Sequence, residues 1–121
     1  MAHIFIAVRD DNIRLLLEQV VTKSLNWTFD SAASHGVALQ IMEMDPPDVL
    51  IGDISPPELD GIGLVRQLRQ QPCLSDTPVV LIGSPDKIVD AHAEGAQAYI
   101  TKPFRLPVLL AVLLVLAPVN H

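Results

Sequence analysis

Short, uninterrupted apolar runs recur along this chain between stretches of helical pattern, and that alternation constrains the fold more than any other feature. IFIAV at residues 4–8, VLIG at 49–52 within an expected strand Val49–Asp53, and PVVLI at 78–82 have no polar face, as expected of strands covered on both sides. Trp27–Ala32 and Ala98–Thr101 read as two further, weaker strands. Asn12 is placed to cap a helix that follows as IRLLLEQVVTKSL. A second helix, over about Gly36–Met44, ends before Asp45-Pro46-Pro47, because proline disfavours helical geometry in the residue before it. IGLVRQLRQQ is amphipathic, with Ile62, Leu64, Val65 and Leu68 inward and Arg66 and Arg69 outward. Asp86 to about Glu94 forms a short helix closed by Gly95, and Pro107–Leu116 a last one with proline in its first turn. Five βα units in succession predict a parallel sheet between helical layers, joined by right-handed crossovers.

A chain of 121 residues buries one sizeable core, so residues 1–121 are expected to form a single domain. The net charge of −6 argues against direct grip on nucleic acid or an anionic membrane surface, since both need clustered Lys and Arg. One cysteine, Cys73, excludes an intramolecular disulfide and fits a reducing, cytoplasmic setting. The N-terminal apolar stretch is too short before its charges for a secretory signal. Leu106–Val119 carries no charge but is shorter than the roughly 20 residues of a membrane span and holds two prolines.

In open parallel sheets, functional groups collect beyond the carboxyl ends of the strands. That edge carries Arg9, Asp10 and Asp11 after the first strand, Asp53 after the third, Gly83 and Ser84 after the fourth, and Lys102 after the fifth. Three carboxylates repel one another and a single lysine relieves only part of that, so a divalent cation is the natural counter-charge. Hard oxygen donors with no His or Cys nearby favour Mg²⁺. An aspartate at a strand end is also a plain capping group, and Asp10 with Asp11 is also a plain acidic pair complementing a helix dipole.

The segments PPDVLIGDISPPELDG, PVVLIGS and YITKPF, in this order, resemble the response-regulator receiver domain of two-component signalling over essentially the whole chain. The resemblance implies a flavodoxin-like (βα)5 doubly wound sandwich with a five-stranded parallel sheet of order 2-1-3-4-5. It implies a signalling module rather than an enzyme, in which Asp53 accepts a phosphoryl group from a histidine kinase or phosphotransfer protein with Mg²⁺. Asp10, Asp11, Asp53 and the Ser55 backbone carbonyl fall on the metal-binding positions, Lys102 on the phosphate-contacting lysine, and Pro103 on the cis-bonded proline after it. Pro57, Asp60 and Gly61 match the family's turn, and Tyr99 its switch aromatic.

Two positions depart from that pattern. The family's Ser or Thr at the end of the fourth strand falls on Gly83, leaving Ser84 as the neighbouring hydroxyl. Alignment of FIAV puts Arg9 at the first acidic position, with Asp10 the second; the alternative takes Asp10 and Asp11 as the pair and shifts the strand. These departures motivate a second expectation, a receiver that works as a phosphorylation-independent interaction module. A phosphohydrolase of the haloacid dehalogenase type ranks below both, because it wants a second acid two residues after the nucleophile, where Ser55 stands. The last helix, LPVLLAVLLVL, is apolar on every side, which predicts a homodimer or downstream-protein contact there.

Overall fold

The computed structural model describes residues 2–55 and 59–117. Five parallel strands form the sheet: β1 (His3–Ala7), β2 (Thr28–Ala32), β3 (Val49–Ser55), β5 (Val79–Gly83) and β6 (Ala98–Thr101). Their spatial order is β2-β1-β3-β5-β6, and a two-residue strand, β4 (Leu59–Asp60), pairs antiparallel with the end of β3. Counting parallel strands alone, this is the doubly wound order 2-1-3-4-5. The α-helices are α1 (Asp11–Gln19), α2 (His35–Met44), α3 (Gly61–Gln70), α4 (Ile88–Ala93) and α5 (Leu106–Leu116).

The period of two along each strand divides the core into two layers. Ile4, Ile6, Val49, Ile51, Val80 and Ile82 pack with Leu17 of α1 and Leu109 and Leu113 of α5. The alternate residues Phe5, Leu50 and Leu81 pack with Met42 of α2 and with Leu64 and Leu68 of α3. Both faces of the central strands are therefore dry, which is why those strands read as continuous apolar runs.

One expected cap is corrected. Asp10, not Asn12, caps α1: its Oδ1 accepts from the backbone N–H groups of Asn12 at 2.9 Å and Ile13 at 3.0 Å. The helix thus begins one residue before Asn12, and α1 runs on into a π-turn at Val20–Ser24. On α3 the outward Arg69 is a clamp between loops. Its guanidinium donates to the carbonyls of Ser75 at 3.2 Å, Thr77 at 2.7 Å and Gly95 at 2.7 Å, and to Gln97 Oε1 at 3.0 Å. Among the described residues, no helix is long and apolar enough to cross a membrane. On α5 one side is core while Val108, Leu114 and Val115 are exposed.

Candidate functional site

β3 and β5 pair in register through Asp53 and Ile82, which sets the Asp53 carboxyl at the carboxyl edge of the sheet. Only 1% of Asp53 is exposed. A carboxylate so placed is costly unless charge and hydrogen bonds compensate it. Lys102, just beyond β6, brings its Nζ to 2.7 Å from Asp53 Oδ1, and the ammonium side chain stays 36% exposed. That contact is an ion pair without hydrogen-bond alignment at Oδ1, so this buried oxygen is compensated by charge. The Lys102–Pro103 peptide bond is cis.

Gly61, the first residue of α3, lets that helix start against the acid: a Cβ there would lie 2.8 Å from the Asp53 carbonyl oxygen. The Asp-Gly pair in the sequence thus serves a close backbone approach. The backbone of Ser55 ends β3 and pairs with Leu59. Pro57 of the matched turn lies outside the described residues.

The acids after β1 are already engaged. Asp10 uses Oδ1 for the α1 cap. Asp11 is exposed and ion-paired with Arg14 one helical turn on, while the same guanidinium donates to the carbonyls of Val8 at 2.8 Å and Arg9 at 3.2 Å. Arg9 itself is exposed. Among the described residues, the group of His, Cys, Asp and Glu side chains whose ligand atoms lie within 4.8 Å of one another is His3, Asp30 and Asp45. Asp10, Asp11 and Asp53 are not drawn together to that distance.

On the other side of Asp53 the site has an arrangement that no sequence pattern indicates. Ser84 turns its hydroxyl onto the Asp86 carboxylate, which holds that acid below its usual range. Tyr99, opposite Leu81 in the sheet, extends toward the strand ends and donates from Oη to the Ser84 carbonyl at 2.5 Å. The phenol occupies space that Gly83 leaves open, since a Cβ at residue 83 would stand 2.5 Å from Oη and 3.2 Å from Ile54 Cβ. Burial raises the Tyr99 pKa above 10.0, and the charges of Asp86 and Asp53 add to the effect. Beside Lys102 lies a groove of about 360 Å³ lined by Ile13, Leu16, Lys102, Pro103, Phe104 and Leu106.

Comparison with known proteins agrees with this architecture. The family model for the response regulator receiver domain matches residues 4–114. The DNA-binding transcriptional regulator NtrC of Proteus hauseri is 31% identical over 117 residues, covering 92% of this chain and 24% of that protein. Response regulator MprA of Mycobacterium leprae is 35% identical over 112 residues, covering 88% of this chain and 47% of that protein. The chain thus spans less than half the length of these two curated relatives. The solved structure of chemotaxis protein CheY4 from Vibrio cholerae superposes with a TM-score of 0.86 at 26% identity, over 96% of this chain and 98% of that one. With the family model spanning nearly the whole chain and the sheet order matching, this chain belongs to the response-regulator receiver family.

Proposed function

We propose that the chain is a phosphoacceptor in two-component signalling, taking a phosphoryl group on Asp53 from a phosphohistidine of a kinase or phosphotransfer protein. The observation that carries this reading is the buried Asp53 carboxylate held 2.7 Å from the Lys102 ammonium at the open edge of the sheet. A carboxylate oxygen attacks phosphorus as the bond from phosphorus to the donor imidazole breaks, giving an aspartyl phosphate and a neutral imidazole after protonation. Such transfer asks the protein for positioning and charge neutralisation. Lys102, already in contact with the carboxylate, is placed to follow the negative charge onto the phosphoryl oxygens.

A hard divalent cation suits the donor set, which is oxygen throughout. Asp53, the Ser55 carbonyl and Asp10 would hold Mg²⁺. The Asp10 cap uses Oδ1 and leaves Oδ2 for the cation, whereas Asp11 would have to leave Arg14 to join. When bound, Mg²⁺ would supply the positive charge that the two carboxylates and a phosphoryl group require. The apolar groove next to Lys102 supports docking of the donor protein there. The exposed Val108, Leu114 and Val115 support an output contact through α5 with a second copy or a downstream protein, in the cytoplasm. A chain that remains monomeric at high micromolar concentration in both states would remove the second copy.

The test is incubation with a small phosphoramidate and Mg²⁺, followed by intact mass measurement. One phosphoryl group per chain, absent from Asp53→Asn, is expected. A chain that takes up none would favour the phosphorylation-independent module, a reading supported by the missing side chain at Gly83 and the engaged hydroxyl of Ser84.

A further inference from the structure

We propose that His3, Asp30 and Asp45 bind one Zn²⁺ ion at the amino end of the sheet, a site separate from the Asp53 edge and independent of the phosphoacceptor reading. His3 Nε2 stands 3.0 Å from Asp30 Oδ2 and 3.5 Å from Asp45 Oδ2, and the three ligand atoms all lie within 4.8 Å of one another. A tetrahedral zinc ion with bonds of about 2.0–2.2 Å sets neighbouring donors roughly 3.3–3.6 Å apart, so small side-chain movements let one ion reach all three. The fold itself brings them together. His3 pairs with Thr28 across β1 and β2, and Asp30, two residues further along β2, shares their face of the sheet. Helix α2 packs on that face through Met42, against Phe5, and Asp45 closes its C-terminal end.

His3 is fixed from two other directions. Its backbone N–H donates to Asp48 Oδ2 at 2.7 Å, and its Nδ1 lies 2.8 Å from the Thr28 hydroxyl oxygen. With the imidazole proton on Nδ1 and donated to Thr28, the Nε2 lone pair faces the two carboxylates, as in metal sites where a partner on the second ring nitrogen sets tautomer and orientation. A proton on Nε2 would satisfy Asp30 at hydrogen-bond distance but not Asp45 at 3.5 Å; a cation engages both. Asp45 needs positive charge for a second reason. Its N–H donates to the Ile41 carbonyl at 2.9 Å, so its carboxylate stands at the negative end of the α2 dipole. Among the described residues, neither Asp30 nor Asp45 has an ion-pair partner other than His3. An imidazole among the donors favours Zn²⁺ over Mg²⁺ or Ca²⁺, which take oxygen ligands. The two carboxylates are 39% and 68% exposed, so an ion reaches them from solvent, and water completes its fourth position. Bound there, it ties β1, β2 and the end of α2 together.

The experiment is calorimetric titration of the chain with zinc chloride in millimolar Mg²⁺, which keeps Zn²⁺ from the all-oxygen Asp53 edge, together with thermal unfolding. One Zn²⁺ per chain is expected, with Tm raised by about 5–10 °C at a free Zn²⁺ concentration 100 times the dissociation constant. Thr28→Val should weaken binding by about tenfold through the lost partner of Nδ1, and His3→Gln and Asp45→Asn should weaken it further. Asp45 lies outside the strands and is largely exposed, so Asp45→Asn keeps the fold and tests the site even where His3→Gln does not. Cys73→Ser and His92→Gln, which alter other zinc-binding side chains, should bind as wild type does. No Zn²⁺ uptake at high micromolar concentration, equal affinity in wild type and Asp45→Asn, or loss of binding in Cys73→Ser or His92→Gln would each overturn the proposal.

Discussion

Removing the two partners of the Asp53–Lys102 pair one at a time should have opposite effects on stability. The pair is asymmetric, with Asp53 1% exposed and Lys102 36% exposed at the side chain. Lys102→Met keeps the aliphatic stem but deprives a buried carboxylate of its ammonium. Breaking a fully buried pair costs about 3–5 kcal/mol, and the open rim of this site lowers that to about 2–3 kcal/mol. At about 4 °C per kcal/mol for a domain of this size, Tm should fall by roughly 10 °C. Asp53→Asn keeps the shape and leaves behind an ammonium that water can reach, so no buried charge is stranded. Its stability should equal that of wild type or exceed it by about 1 kcal/mol. Urea unfolding of both single variants and the double variant at pH 7, each at unchanged m-value, reads the three differences directly. Equal losses in the two single variants would refute the reasoning, because they would mean that the fold favours the Asp53 carboxylate as strongly as it favours its partner.

Three further outcomes follow from the geometry. Tyr99 is the sole tyrosine, so its ionisation can be followed by ultraviolet absorbance; the midpoint should lie above 10.0. Because the folded value is raised, its contribution to stability is present below pH 10.0 and is lost as pH rises through the folded value; a native midpoint at or below 10.0 would contradict the partly buried placement. Arg69→Met removes the donor from three carbonyls and Gln97 and should cost about 2–3 kcal/mol in urea unfolding; a loss under half a kcal/mol, on the order seen for exposed pairs, would deny the clamp. Asp10→Ala should cost about 1 kcal/mol through the lost α1 cap, more than Asp11→Ala, and only the Asp10 variant should weaken Mg²⁺ binding; a larger Mg²⁺ effect from Asp11→Ala would reverse the ligand assignment.

The alternation of strands and helices was legible because each central strand is dry on both faces. Residues 98–101 coincide with β6, and the runs at 49 and 78 lie within a residue or two of β3 and β5. Asp53 and Lys102 were legible for a related reason, since each stands where an apolar run stops at the functional edge. What escaped depends on side chains meeting across the fold. Asp10 caps α1 two residues before Asn12, the cap expected from the sequence. Arg69 looks like an ordinary surface cation on an amphipathic helix until the loops at residues 75–77 and 95–97 close around it. β4 is two residues long, too short for any periodicity to show. Gly83 read as an absence; only the Tyr99 ring, sixteen positions on in sequence, shows what fills the space.

The most direct test of the phosphoacceptor reading is chemical localisation of the modified residue. After treatment with phosphoramidate and Mg²⁺, borohydride reduces an aspartyl phosphate to homoserine, which peptide sequencing by mass spectrometry places in the chain. Homoserine at residue 53, dependent on Mg²⁺ and abolished by Asp53→Asn, is the predicted result. Homoserine at Asp10 or Asp11, or none in a folded chain, would contradict it.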